Sequence, residues 1–217
     1  VFLATLISKT PLNPWIAMLI AVFIGACVGS INGLVTTRAG IPSFIVTLGM
    51  LSILRGAALL LSGGWPILIK LPEDHSFLNV TAGRVGGVVP TQILWMVGLV
   101  LLAGFVLSKT RFGAHVYATG GNEEAAMLTG IPTKRVKTIC FVMTGALCGI
   151  AASLLLGQVK SGFPLTGQAF ELDVIAAVVI GGTNLFGGEG TIIGTLIGAV
   201  IMGALGNGMN LLNVSAF

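Results

Sequence analysis

Charge is what this sequence lacks most. Only 8% of its 217 residues are charged against 55% hydrophobic, and mean hydropathy is +1.02. A soluble domain carries about 25% charged residues. No soluble fold of this length hides so much apolar surface, so the composition excludes ordinary soluble enzymes and binding modules and leaves a multi-pass membrane protein. Cysteine is scarce too. Cys27, Cys140 and Cys148 all sit inside apolar runs. Cys140 and Cys148 would lie about 12 Å apart on one helix at 1.5 Å per residue, too far for a disulfide, so they read as small packing residues. The two histidines, His75 and His115, are far apart with no cysteine near either, which argues against a metal site. No Gly-x-x-x-x-Gly-Lys-[Ser/Thr] loop is present to cradle ATP phosphates. Neither a Gly-x-Ser-x-Gly elbow nor a Cys/His pair is arranged for nucleophilic work. The expectation is a chain with no catalytic residues and no metal ligands. A net charge of +4 speaks here to membrane orientation rather than to nucleic acid.

What is abundant is apolar length and glycine. Uncharged runs near the roughly 20 residues a spanning helix needs cover 15–37, 91–108, 138–157 and 191–212; a fifth, 43–64, is interrupted by Arg55. Residues 172–185 form a sixth apolar segment, short and ended by glycines, which either spans or enters and turns back. Residues 1–8 read as the tail of an earlier helix. The expected fold is all-α: a polytopic membrane helix bundle with about six membrane segments, one domain over 1–217. No secretory signal is visible, and the pattern starts and stops in mid-flow, as in a piece of a longer chain.

Charge sets the expected topology. The connection 109–137 holds five Lys/Arg close to two membrane ends, which places it in the cytoplasm. Counting back puts the loop 65–90 outside, and counting forward puts 158–170 outside. Glycines recur every four residues at Gly25, Gly29 and Gly33, at Gly145 and Gly149, and at Gly190, Gly194 and Gly198. Such rows make smooth helix faces for close packing in lipid.

One polar island stands out: GGNEEAAMLTGIP at 120–132. Asn122 is a good N-cap. Glu123 and Glu124 favour the first turn, the next four residues are helix formers, and Gly130 with Pro132 ends the helix. A helix of about two turns is marginal alone in water. It either docks into another protein's groove or lies against its own membrane domain. Arg55 sits within an apolar run, where a charge costs at least about 2.5–3.5 kcal/mol. It either lines a polar path or pairs with a carbonyl near a helix break. Glu171 and Asp173 either cap the short segment after them or touch a passing solute. Glycines bracket Thr183, Asn184, Leu185 and Phe186, with Glu189 beside them. That is a tight turn before it is an ion or solute site, and at membrane depth it needs cover.

Together these blocks resemble a known family. They are TRFG at 110–113, ATGGNEEAA at 118–126 and GIP at 130–132; PSFIVTLG at 42–49 with Arg55-Gly56; GFP at 162–164 through Gly167 to Glu171-Leu172; and AAVVIGGT at 176–183 with GGEG at 187–190, Gly194-Thr195 and Gly198-Ala199. This order is similar to the permease subunits of bacterial ABC importers for monosaccharides, the ribose/xylose/arabinose group. The resemblance implies a multi-pass protein of the bacterial inner membrane with about ten helices, of which this stretch supplies the middle and later ones, with an N-terminal region and a last helix outside it. It implies several partners: two cytoplasmic ATPase subunits that hold ATP and Mg²⁺, a periplasmic or lipid-anchored sugar-binding protein, a second permease copy or relative, and surrounding membrane lipid. It makes Asn122, Glu123, Glu124, Ala125, Ala126 and Gly130 the ATPase-coupling residues. Arg55, Glu171, Asp173 and Asn184 are candidates for the translocation path. The alternatives are a branched-chain amino-acid permease of the same wider group, an ion-coupled secondary transporter, and a structural membrane scaffold.

Overall fold

The computed structural model describes residues 1–10, 12–69, 71–72 and 75–212, the side chain of Asn210 excepted. Pro11, and Lys70, Glu73 and Asp74 of the expected outer loop, lie outside the described residues. The chain is all-α. Its helices are α1 (Phe2–Lys9), α2 (Pro14–Ala39), α3 (Ser43–Ser62), α4 (Ser76–Ala82), α5 (Thr91–Lys109), α6 (Arg111–Gly121), α7 (Glu123–Leu128), α8 (Thr133–Val159), α9 (Phe170–Ile180) and α10 (Ile192–Leu211). Two-residue bridges complete it: β1 (Ile67–Leu68) pairs antiparallel with β4 (Ser161–Gly162), and β2 (Arg84–Val85) with β3 (Val89–Pro90). Five helices, α2, α3, α5, α8 and α10, are long and apolar enough to cross a membrane. They match the five long runs of the sequence. The sixth segment is shorter than 172–185 suggests: its helix, α9, has 11 residues, about 16 Å at 1.5 Å per residue, and stops before the glycines.

The chain divides into two compact units. One holds Val1–Met96 and Lys137–Thr166; the other holds Val97–Val136 and the chain from Gly167 onward.

In the first unit, α2 and α8 run antiparallel with their backbones in contact. Gly25 faces the carbonyl of Gly145, and Gly29 faces that of Phe141. A β-carbon on Gly149 would stand 2.6 Å from the Cα of Val22. Lipid tails are as apolar as the helix faces, so close packing rather than water exclusion must hold such a pair. The glycine rows of both helices face each other, and each serves as the smooth packing face that its spacing predicts. Thr37 and Thr138 hydroxyls meet at 3.4 Å at one end of the pair. At the other end sits the core, with Leu3, Ala4, Ala17, Met18, Phe77 and Leu156 buried. Trp15 packs edge-on to Phe77 with ring centroids 5.6 Å apart. Its indole N–H donates to Ser76 Oγ at 3.3 Å, and that of Trp95 donates to the Val80 carbonyl at 3.1 Å. Tryptophans favour the membrane–water interface, and here two are tied to the amphipathic turn of α4. Nothing in the local sequence announced α4, because its helix is fixed by these tertiary contacts.

In the second unit, α9 and α10 form an antiparallel hairpin of the same kind. Gly194 faces the carbonyl of Gly181, and Gly198 that of Ala177. Gly190 does not extend this row. It precedes α10, and a β-carbon there would meet the Thr183 side chain at 2.9 Å.

These contacts predict a sharp contrast between two leucine substitutions. Gly149→Leu should overpack the α2–α8 seam, at a cost of roughly 1–3 kcal/mol or more, and lower the melting temperature in detergent. Gly104→Leu, with open space around it, should leave the melting temperature unchanged. Equal melting temperatures for the two variants would contradict the seam.

Candidate functional site

The polar island is a helix–turn assembly in the second unit. Thr110 starts it: its hydroxyl accepts the Gly113 N–H at 3.3 Å and caps α6. α6 ends at Asn122, which at once caps α7, its Oδ1 accepting the Ala125 N–H at 3.0 Å. α7 is therefore a six-residue helix with the expected cap and the expected acids in its first turn. Its C-terminus is closed by Ile131 N–H donating to the Ala126 carbonyl at 3.0 Å, and by Gly130 in the left-handed region at φ +86°. The loop is more ordered than its sequence suggests, because the α6 stretch 111–121 is also helical.

The six predicted coupling residues fall into two groups. Asn122, Ala126 and Gly130 build the helix: one caps it, one is buried, and one ends it. Glu123 is half-buried, whereas Glu124 and Ala125 face outward. Beside them stand two apolar side chains that the sequence reading passed over as mere helix formers. Leu128 is 90% exposed and Met127 is 54% exposed. The signal that could have found them was an apolar pair at the end of a helix too short to bury both.

α6 rests on the glycine turn between α9 and α10. The Tyr117 hydroxyl donates to the Gly190 carbonyl at 2.7 Å. A β-carbon on Gly120 would stand 2.5 Å from the Gly188 nitrogen, and one on Gly188 would stand 2.8 Å from the Gly121 Cα. Gly187 and Gly188 also adopt φ of +99° and +80°, which favours glycine over every other residue. Asn184 holds this turn: its Oδ1 accepts the Phe186 N–H at 2.9 Å, its carbonyl accepts the Gly187 N–H at 3.1 Å, and its N–H donates to the Glu189 carbonyl at 3.0 Å. Tyr117, Asn184 and Thr191 line a small cavity of about 300 Å³ there. The turn thus pairs part of its own backbone and is covered by α6, as a non-helical segment at membrane depth would require. The Asn122 end of α7 follows directly from Gly120 and Gly121, so α7 is connected through one helix end to the α9–α10 hairpin.

The other path candidates lie elsewhere. Glu171 and Asp173 are exposed in the first turn of α9, at the opposite end of that helix from Asn184. No side-chain cap bond forms at the start of α9, so their local contribution is charge near the helix dipole. Arg55 belongs to the first unit. It is half-buried on α3 and lines a cavity of about 380 Å³ with Ser161, Phe163 and Thr166. Among the described residues, no three His, Cys, Asp or Glu side chains gather as for a metal ion.

Comparison with known proteins gives a consistent result. The profile of a family described as "branched-chain amino acid transport system / permease component" matches residues 1–216. The ribose import permease protein RbsC of Escherichia coli (strain K12) is 40% identical over 207 residues, 94% of this chain and 64% of that protein. RbsC of Bacillus subtilis (strain 168) is 42% identical over 186 residues, 86% of this chain and 57% of that protein. The L-arabinose transport system permease protein AraH of E. coli (strain K12) is 41% identical over 187 residues, 86% and 56% of the two chains. The chain thus spans less than two thirds of the length of these relatives. No solved structure matches.

The link between α6 and the glycine turn is testable by hydrogen exchange. A net hydrogen bond is worth about 0.5–1.5 kcal/mol. Tyr117→Phe should therefore speed amide exchange in residues 187–190 by roughly two- to tenfold, with α2 unaffected. Unchanged exchange in the turn would show that the Tyr117 bond does not hold it.

Proposed function

Because this chain belongs to the family of branched-chain amino acid transport system permease components, we propose that it forms the membrane pathway of an ATP-driven importer for a monosaccharide. The observation that carries the reading is α7, a capped, self-terminated helix that turns Glu124, Met127 and Leu128 outward. A helix of this size is marginal in water, and so exposed an apolar pair wants a partner. Exposed apolar anchors beside charge suit a protein groove.

No ATP-cradling loop occurs in these 217 residues, which suits an energy source on a partner chain. A cytoplasmic ATPase holding ATP and Mg²⁺ is the partner this surface fits. Its motion would reach α9 and α10 through α6 and the glycine turn. The five cations between Lys109 and Lys137 support a cytoplasmic position for α7. Trp15, Trp65 and Trp95 support an interface at the far ends of α2, α3 and α5. A binding protein would deliver solute on that outer side, and a second permease copy or relative would complete the pathway.

The family's description names amino acids, whereas the relatives RbsC and AraH are named for ribose and arabinose. Identities near 40% over most of the chain favour the sugar. An ion-coupled mechanism finds less support. Its candidate carboxylates, Glu171, Asp173 and Glu189, are all exposed at segment ends.

Leu128→Asp places a charge in the surface proposed to dock. Co-purification of an ATPase with the full-length chain should fall at least tenfold, with membrane insertion intact. Replacing residues 124–127 with glycine should abolish sugar uptake while ATP hydrolysis continues. Unchanged ATPase recovery and uptake in these variants would remove α7 from the coupling role.

A further inference from the structure

We propose that the cavity around Arg55 is a transit site for an uncharged, oxygen-rich solute of monosaccharide size, with the Arg55 guanidinium as its donor and Phe163 as its stacking surface. This deepens the permease reading and rests on it.

The first observation is an unpaired charge. Arg55 stands on α3 about 18 Å from its start and about 10 Å from its end, at 1.5 Å per residue. That is too deep for a lipid headgroup to meet it in a bilayer whose hydrocarbon is about 30 Å thick. Among the described residues it forms no hydrogen bond or ion pair. The first unit holds no carboxylate among the described residues either. Of the seven Asp and Glu in the chain, Glu123, Glu124, Glu171, Asp173 and Glu189 belong to the other unit, and Glu73 and Asp74 lie outside the described residues. A guanidinium in an apolar helix needs protein, water or solute to solvate it.

The second observation is what surrounds it. The cavity measures about 380 Å³, within the size range of small-molecule sites, and shows their pattern of an apolar wall with few polar groups. Ser161 and Thr166 bring hydroxyls, and Phe163, 40% exposed, brings an aromatic face. Gly149 and Ala152 of α8 also line it, among larger apolar side chains such as Leu51, Leu54 and Leu155.

The third observation is how the wall is held. The chain leaves α8 through Lys160 at φ +53°, and enters α9 through Ala169 at φ +64°. These are the two non-glycine residues with positive φ among those described. Such conformations persist where the surroundings over-determine them, and they cluster at functional sites. Here the Lys160 carbonyl accepts the Ile69 N–H at 3.0 Å, and β4 pairs with β1. The strained stretch therefore delivers Ser161, Phe163 and Thr166 to the cavity.

The chemistry selects the solute. Arginine has five N–H donors and no acceptor, so its ligand must bring oxygen acceptors. A carboxylate or phosphate would pair with it bidentately and be held, whereas hydroxyl and ring oxygens bind more weakly and let a solute pass. The cavity is lined by β4, which pairs with β1, at the end of the first unit that holds Trp15 and Trp65. That is the end at which solute would enter under the proposed function.

The test uses the full-length permease with its ATPase and binding protein, and measures uptake of labelled D-ribose and L-arabinose. Arg55→Met should cut uptake of the transported sugar at least tenfold while ATP hydrolysis stimulated by the loaded binding protein stays within twofold. Phe163→Ala removes an exposed side chain and should raise the half-saturating sugar concentration severalfold without changing the amount of protein in the membrane. It keeps the proposal testable if Arg55→Met fails to insert. Near-normal uptake by either inserted variant would overturn the proposal. So would loss of uptake accompanied by loss of the permease pair on native gels, which would assign Arg55 to contact between copies. If the unsubstituted chain moves neither sugar, the proposed function fails instead.

Discussion

Two pairs of helices touch backbone to backbone, and most of the remaining structure is arranged around those contacts. In lipid there is no gain from hiding apolar surface between helices, so attraction must come from close approach. Glycine supplies it on α2 and α8 in one unit, and on α9 and α10 in the other. The same contacts shape the places where chemistry is possible. Gly149, packed in the α2–α8 seam, also lines the Arg55 cavity. The α9–α10 hairpin fixes the turn on which α6 rests.

With so few polar groups, each is placed where its neighbours give it meaning. Asn122 both ends one helix and starts the next. Tyr117, the single tyrosine of the chain, ties the polar loop to the glycine turn. Arg55 stands within the apolar helix α3 with no hydrogen bond or ion pair among the described residues. The second unit thus presents a short helix with exposed apolar side chains, and the first holds a cavity lined by a donor and an aromatic ring. Under the proposed function the helix would receive motion and the cavity solute.

The sequence was most legible where structure is local. The five long spans follow from apolar length alone, and α7 from its cap, acids and terminator. The smooth faces of α2 and α8 followed from glycine spacing, but their pairing did not. What depends on distant partners was hidden. α4 and α6 are helical because Trp15, Trp95 and the glycine turn pack against them. The end of α9 at Ile180, rather than beyond Thr183, depends on the hairpin with α10. Gly190 matched the spacing of Gly194 and Gly198 but serves the turn, since periodicity does not show where a helix begins. In the candidate site, Ala126 was named among the coupling residues and is buried, because composition does not say which face is buried. Met127 and Leu128 were missed for the same reason.

Sidedness is the claim on which docking and solute entry jointly depend, and thiol labelling measures it directly. In a full-length background with its native cysteines replaced, Ala125→Cys and Leu68→Cys can be probed one at a time with a membrane-impermeant maleimide. Leu68→Cys should react in right-side-out vesicles and Ala125→Cys only in inverted ones. Reaction of both from the same side, or in the reverse order, would contradict a pathway that receives solute at the Arg55 end and force at α7.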